Sequence, residues 1–239
     1  MNTPPKWNEL PQTLQLEYLL GGKIKLEDWY IDDTITNHKI WTVQEFGDLR
    51  KKVKNHEVNY YGETDTWLYE ALELCPINGI NVAIMGSTQP WYETIVLEFG
   101  GNPTTIEYNL PGYGHANMEE ISIQEYWNSP RQFDIAISIS SFEHDGLGRY
   151  GDPLNPNGDL RAMTEMKKIL KKNGILILAV PVGLDKVVWN AHRIYGPIRF
   201  PILTTGWKLE GCVGMDESFM SRDTGVGGTY QPVIVLRNI

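Results

Sequence analysis

From Asn81 onward, apolar runs alternate with amphipathic stretches, and this alternation constrains the fold more than any other feature of the chain. Val82-Ala83-Ile84-Met85, Phe133 to Ile139 and Ile175 to Val180 are almost continuously apolar. A strand with one wet face alternates apolar and polar residues, so a run that is apolar throughout needs cover on both faces. The stretches between these runs are helical in spacing. Trp91 to Phe99 ends at Gly100-Gly101, a helix stop. Leu160, Met163, Met166, Ile169 and Leu170 share one helical face, closed by Lys171, Lys172 and Asn173-Gly174. Thr104 to Tyr108, Ile121 to Ile123, Trp207 to Val213 and Tyr230 to Arg237 supply further strands. The pattern predicts an α/β fold over residues 79–239, a doubly wound and mostly parallel sheet with helices on both faces.

Residues 1–78 read differently. They hold Trp7, Trp29, Trp41 and Trp67, with helical spacing over Thr13 to Leu20, Val43 to Lys54 and Asp65 to Leu74, and no clear buried strand. The expectation is a helical cap or extension on the main domain.

Composition narrows the function. The 239 residues, 41% hydrophobic, suit one compact domain with an extension. The net charge of −9 and the lack of any basic run beyond Lys51-Lys52-Val53-Lys54 argue against a nucleic-acid binder. No apolar run approaches the ~18 residues of a membrane span. The start Met1-Asn2-Thr3-Pro4-Pro5 lacks the basic and apolar regions of a secretion leader. Cys75 and Cys212 give neither zinc spacing nor a disulfide framework. The expectation is a cytoplasmic protein with buried thiols, acting on a small molecule.

Ligands of open α/β sheets bind beyond the carboxyl ends of the strands, so the loops there carry the chemistry. Gly86-Ser87-Thr88-Gln89-Pro90-Trp91 joins the first strand to a helix, where backbone N–H groups approach a nucleotide-like ligand. Only one glycine is present, which excludes the Gly-rich turn of a nicotinamide-dependent oxidoreductase. Glu107 ends the second strand about twenty residues later, where an acid partners ribose hydroxyls. Gly146-Leu147-Gly148-Arg149-Tyr150-Gly151 matches G-x-G-x-x-G formally. It follows the wrong strand, and Asp152-Pro153 blocks a helix, so these glycines are read as shaping a loop over a pocket. Glu143, His144, Asp145 and Asp152 suit either a base or a divalent ion such as Mg²⁺. Asp152 or Asp159 capping a loop or helix is the structural alternative. His192 and Arg193 would share the rim and bind an anionic substrate, or form a structural pair. Tyr60, Tyr61 and Trp67 could line a sugar or adenine pocket.

The order of strand, turn, helix and acidic second strand, then Phe133-Asp134-x-x-x-Ser138, Ser140-x-x-Glu143-His144 and Leu170-Lys171-Lys172-Asn173-Gly174-Ile175-Leu176-x-Leu178-x-Val180-Pro181, resembles the class I S-adenosylmethionine-dependent methyltransferases. Within them, four segments resemble an uncharacterised family, a domain of unknown function found in plants, nematodes and microbes. They are Gly86 to Glu93, Glu107-Tyr108-Asn109, Ser141 to Pro153 and Asn190 to Gly196. The likeness runs from about Tyr61 to Leu209.

The resemblance implies a seven-stranded Rossmann-like sheet with an antiparallel last strand. It places Gly86, Ser87, Thr88 and Gln89 at the methionine part of S-adenosylmethionine. It places Glu107, with Tyr108 and Asn109, at the ribose side, and Ser140 and Ser141 beside the sulfonium. The implied activity is O-methylation of a small polar acceptor, a sugar or sugar nucleotide. His144 is then the expected base and His192 its alternate. Asp145 would orient His144, or join Glu143 and Asp152 at a metal. Arg149, Tyr150, Arg193 and Tyr195 would hold the substrate. A non-catalytic binding protein that kept the fold is the competing expectation, favoured by the unusual first turn.

Overall fold

The computed structural model describes residues 3–33, 39–227 and 230–239. Met1 and Asn2, on which part of the leader reading rests, lie outside the described residues. In chain order the elements are α1 (Gln12–Tyr18), β1 (Lys25–Trp29), α2 (Val43–Lys54), α3 (Glu63–Leu74), β2 (Asn81–Met85), α4 (Trp91–Glu98), β3 (Asn102–Glu107), β4 (Glu119–Ser122), α5 (Ile123–Asn128), β5 (Phe133–Ile139), α6 (Gly158–Ile169), β6 (Leu170–Ala179), β7 (Lys186–Asn190), β8 (His192–Ile194), α7 (Arg199–Leu203), β9 (Trp207–Val213) and β10 (Val233–Asn238).

Seven strands form the main sheet in the order β4-β3-β2-β5-β6-β10-β9. The five from β4 to β6 run parallel, and β10 is antiparallel to both neighbours. Period-two alternation along each strand divides the core in two. Val82, Ile84, Ile135, Ile137, Ile177 and Val235 pack on one face with Leu68, Leu72 and Ile95. Ala83, Ala136, Leu176, Leu178, Ile234 and Leu236 pack on the other with Met163, Met166 and Ile169. From β2 the chain winds outward to β3 and β4, then returns to place β5 on the other side of β2. The crevice between the ends of β2 and β5 is therefore the switch point, where open α/β sheets bind ligands.

Two local readings change. The α6 helix ends at Ile169, and Leu170 already begins β6 rather than completing the helical face. Asn173 takes φ +65°, and the β5–β6 register shifts between Phe133 and Ile135, so Lys171 to Gly174 form an irregular strand start, not a helix end. The Lys51–Lys54 run is the last turn of α2, where lysines meet the negative end of the helix dipole. That helix starts at a Thr42–Glu45 capping box and buries Phe46, Leu49 and Val53.

The helical reading of residues 1–78 misses β1, which joins β7 and β8 in a second, three-stranded sheet. β1 pairs parallel with β7, Lys25 to Lys186 through Trp29 to Asn190, and β7 turns back into β8. Lys186 is buried there, its ammonium 2.7 Å from Glu27 and 2.5 Å from Asp223. Trp7, Leu10 and Tyr18 pack on Val187, Trp189 and Leu147. The indole of Trp189 donates to Pro5 O at 3.1 Å, and Tyr18 OH donates to Gly146 O at 2.5 Å. The amino-terminal segment thus buttresses the loop that follows β5. Among the described residues no helix is long and apolar enough to cross a membrane. Cys75 and Cys212 are free and only half-buried.

Candidate active site

The first turn leaves β2 at Gly86, φ +72°, directly against the loop that leaves β5. A Cβ on Gly86 would lie 2.0 Å from Ser141 Oγ. The single glycine is thus required by the closeness of two loops. A polar web takes over the support of the rest of the turn. Ser87 Oγ lies 2.9 Å from Gln89 O and 3.1 Å from Glu93 Oε2, and it accepts from Tyr113 OH at 3.1 Å. Thr105 donates to Glu93 Oε1 at 2.7 Å. Glu93 is fully buried, and burial pushes its carboxyl up to about 7. Sequence reasoning placed Glu93 within a motif but assigned it no part; an acid in the first turn of an apolar helix was the available signal.

Two cavities open at the switch point. The larger, about 690 Å³, runs over the ends of β2, β3 and β5, with Met85, Ile106, Phe142 and Ile123 as apolar walls. Gly86, Thr88, Gln89, Glu107, Tyr108, Asn109, Ser140, Ser141 and Asp145 all line it. The smaller, about 280 Å³, is walled by Trp29, Tyr60, Tyr61, Trp91, Tyr92 and Tyr150, with Asn59, Arg149, His192 and Gln231 as polar groups. The two share Gly86, Thr88, Gln89, Ser140, His144 and Tyr150. Ser87 lines only the smaller one and is 3% exposed, its hydroxyl already engaged in the web.

The larger cavity fits a nucleoside sulfonium by its donor set. Its volume lies within the ~300–1,000 Å³ of small-molecule sites. Glu107 sits at the end of β3 and lines the cavity, its carboxylate accepting from Tyr108 N at 2.7 Å and supported also by the backbone N–H groups of Asn109 and Gly86. Burial raises its carboxyl. The exposed ring of Tyr108 and the side chains of Ile106 and Ile123 offer a slot for a flat base. Burial, then the charge of Asp152, also raises Asp145 well above the usual carboxylate range.

Ser140 and His144 of the shared wall belong to a polar cluster with Glu143 and Gln231, which line only the smaller cavity. Ser140, at φ +50°, is a non-glycine residue in the left-handed region, a strained conformation common at functional sites. Its hydroxyl donates to Glu143 Oε1 at 2.6 Å and accepts from Gln231 at 3.2 Å. Glu143 Oε1 is 3.6 Å from His144 Nε2, and Glu143 Oε2 is buried with no partner among the described residues. His144 Nδ1 is 2.6 Å from Ala191 O. A carbonyl only accepts, so Nδ1 carries the hydrogen and Nε2 presents a lone pair. Burial, then Arg149, holds His144 down to about 3, and the same two causes hold His192 at about 4. Burial pushes Glu143 up to about 7.

This geometry corrects several expectations. His144 and His192, expected as base and alternate base, both line the smaller cavity, 6.2 Å apart between ring centroids, as neutral acceptors that resist protonation near pH 7. The Ala191 carbonyl, not Asp145, orients His144. Arg193 is fully buried and donates to the carbonyls of Glu143, Asp145, Asn155 and Pro156, with Asp159 at 3.8 Å. Tyr195 is also sealed in, donating to Asp159. Neither lines either of these two cavities; both tie the β8 region to the loop and to α6. Asp159 binds Arg199 at 2.6 Å and is no helix cap. Arg149 reaches the smaller cavity, but Asp33 already pairs with it at 2.7 Å.

The carboxylates expected at a metal do not converge. Asp152 spends its oxygens on Gly146 N at 2.7 Å, Gly148 N at 3.2 Å and Tyr150 N at 3.3 Å. It is the knot around which the glycine loop is wound. Glu143 turns to Ser140. Among the described residues no three acidic, histidine or cysteine side chains gather as a metal site. Trp29, Trp91, Tyr92 and Gln231 were not assigned to the site; they come from three separate segments, β1, the start of α4 and the approach to β10, and only Trp91 and Tyr92 fall within a quoted motif. Trp67 lies elsewhere, against Tyr230.

The strand order and the switch-point cavities define the fold of the class I S-adenosylmethionine-dependent methyltransferases. Solved structures agree. The chain is similar to 1,6-didemethyltoxoflavin-N1-methyltransferase of Burkholderia thailandensis, solved with 1,6-didemethyltoxoflavin and S-adenosylhomocysteine. The identity is 14% and the TM-score 0.51, over 88% of this chain and 98% of that one. It is similar to a SAM-dependent methyltransferase from Aquifex aeolicus at 15% identity and TM-score 0.52, covering 80% and 98%. It is similar to the N-methyltransferase NodS from Bradyrhizobium japonicum, solved with S-adenosyl-L-homocysteine, at 12% and 0.50, covering 81% and 97%. The chain belongs to the family described as Caenorhabditis protein of unknown function, DUF268, which it matches over residues 79–220. No curated protein matches it.

Proposed function

We propose that the protein is an S-adenosylmethionine-dependent methyltransferase acting on a hydroxyl of a small polar acceptor, most simply a sugar ring. The observation that carries this reading is the pair of cavities with one shared wall at Gly86, Thr88, Gln89, Ser140, His144 and Tyr150. A transferase needs two bound molecules whose reacting atoms meet, and positioning alone can supply most of the acceleration. When bound, the cofactor supplies an electrophilic methyl group on a sulfonium. Glu107 would hold its ribose, Tyr108 its base, and Gly86 to Gln89 its methionine part.

The smaller cavity takes the acceptor. Its volume of about 280 Å³ suits one ring, so the remainder of a sugar nucleotide would lie outside. Tyr60, Tyr61 and Trp29 present aromatic faces for the apolar side of such a ring, and Asn59, Gln231 and Arg149 serve its hydroxyls. Tyr150 spans both ligands. The two unpaired thiols suit a reducing cytoplasm.

Calorimetric titration with S-adenosylmethionine and S-adenosylhomocysteine tests the reading. Micromolar binding is expected, followed by methyl transfer in a screen of sugars and sugar nucleotides. Absence of binding to folded protein would refute it and favour a fold retained for another binding role.

A further inference from the structure

The polar cluster at the smaller cavity holds more acceptors than protons, and this bears on where an acceptor's proton goes. Glu143 is fully buried, lines the smaller cavity, and leaves Oε2 without a partner among the described residues. Its Oε1 already accepts from Ser140, so Oε2 is the vacant acceptor. His144 Nε2, 3.6 Å from Oε1, is also a bare lone pair, because its Nδ1 hydrogen goes to Ala191 O. At 3.6 Å from Oε1 the ring makes no hydrogen bond to the carboxyl, but its lone pair lies beside a buried acid, and a proton on the acid relieves that crowding of acceptors.

We propose that Glu143 is the group that takes the acceptor's proton, and that His144 is the positioning residue whose neutral ring, its lone pair beside the carboxyl, favours the protonated acid. The assignment rests on the methyltransferase reading. In this step the acceptor's O–H bond breaks and its electron pair stays on the acceptor oxygen. The proton forms a new O–H bond on the Glu143 carboxylate. The role expected of His144 thereby passes to its neighbour. A base is most effective with an affinity for protons near the working pH. Burial brings Glu143 to about 7, while burial and Arg149 drive His144 to about 3. The titratable and charged groups around Glu143 are His144 and Arg149 on its own loop, Arg193 on β8, Tyr61, Tyr92 on α4, Tyr150 and Tyr195. Arg149 and Arg193 favour the carboxylate, and burial outweighs them.

The test is nitrogen-15 NMR of the histidine ring, with the signal assigned by a His144→Gln variant. In the wild-type protein the His144 Nε2 shift should step near pH 7 while staying in the range of a neutral imidazole. Glu143→Gln should abolish the step. A flat His144 signal between about pH 5 and 9, a ring that itself becomes imidazolium near pH 6.5, or a step that survives in Glu143→Gln overturns the proposal. The wild-type titration decides alone if the variant does not fold. S-adenosylhomocysteine calorimetry on the same sample separates the two levels. Binding without the step refutes Glu143's role only. Failure to bind refutes the methyltransferase reading and this role with it.

Discussion

The contact between Gly86 and Ser141 can be tested quantitatively by Gly86→Ala. Two costs arise. A non-glycine residue at φ +72° loses about 1–2 kcal/mol to the clash of its Cβ with the following carbonyl. The new methyl would also sit 2.0 Å from Ser141 Oγ and 2.3 Å from its Cβ, and forced overpacking of this kind costs about 1–3 kcal/mol. The sum is about 2–5 kcal/mol. Gly112→Ala is the control, because Gly112 has φ +68° and nothing within 4 Å of its added Cβ. It carries the dihedral cost alone. Urea denaturation of the three proteins should place Gly112→Ala about 1–2 kcal/mol below wild type and Gly86→Ala a further 1–3 kcal/mol lower. For a chain of this size that further loss is about 2–12 °C in Tm. Relief by shifting Ser141 would move the wall of the larger cavity, so S-adenosylhomocysteine affinity should fall in Gly86→Ala and not in Gly112→Ala. Equal stability of the two variants would refute the reasoning that close approach, rather than the dihedral, demands this glycine.

Three further outcomes are expected. Arg193→Ala should cost about 3–5 kcal/mol in chemical denaturation, since it leaves Asp159 with one cationic partner fewer and four carbonyls short of a donor; a near-neutral variant would return Arg193 to the list of substrate ligands. Tyr108→Ala should weaken S-adenosylhomocysteine binding about fivefold by loss of stacking worth ~1 kcal/mol, with the fold's stability unchanged because the ring is exposed. Glu143 has its folded-state pKa raised to about 7 from 4.5, so its contribution is fully present below about pH 4.5 and is lost as pH rises through 7. Glu143→Gln should therefore gain about 2 kcal/mol on wild type between pH 5 and pH 8; parallel curves for the two would show that the carboxyl is not held protonated.

How much of this was legible in the sequence depended on the range of the interaction that decides each feature. The strands β2, β5 and β6 were readable because a run covered on both faces is marked by its own residues. Helices α2, α4 and α6 were readable because three-four spacing is a property of one segment. The resemblance of the loops to a known fold placed Gly86, Thr88, Gln89, Glu107, Ser140 and His144 on one rim, since strand ends in such a sheet converge wherever the chain reverses its winding. The hairpin of β7 and β8 was not readable. Each strand is short, and β1, the partner that covers β7, lies about 160 residues away and is polar in pattern.

The sequence by itself determined the layering of the sheet, its switch point and the loops that meet there. Tertiary structure alone decided what each polar side chain in those loops is for. Arg149 and Arg193 look alike in sequence, yet one reaches a cavity and the other is locked to four carbonyls, because β8 turns its face inward. His144 and Glu143 are neighbours whose ordinary proton affinities would make the histidine the base. Burial penalises whichever form is charged, so it lowers the imidazole and raises the carboxyl, and the order of the two is inverted. That inversion depends on desolvation by residues from Trp29 to Gln231, and only the folded chain brings them together.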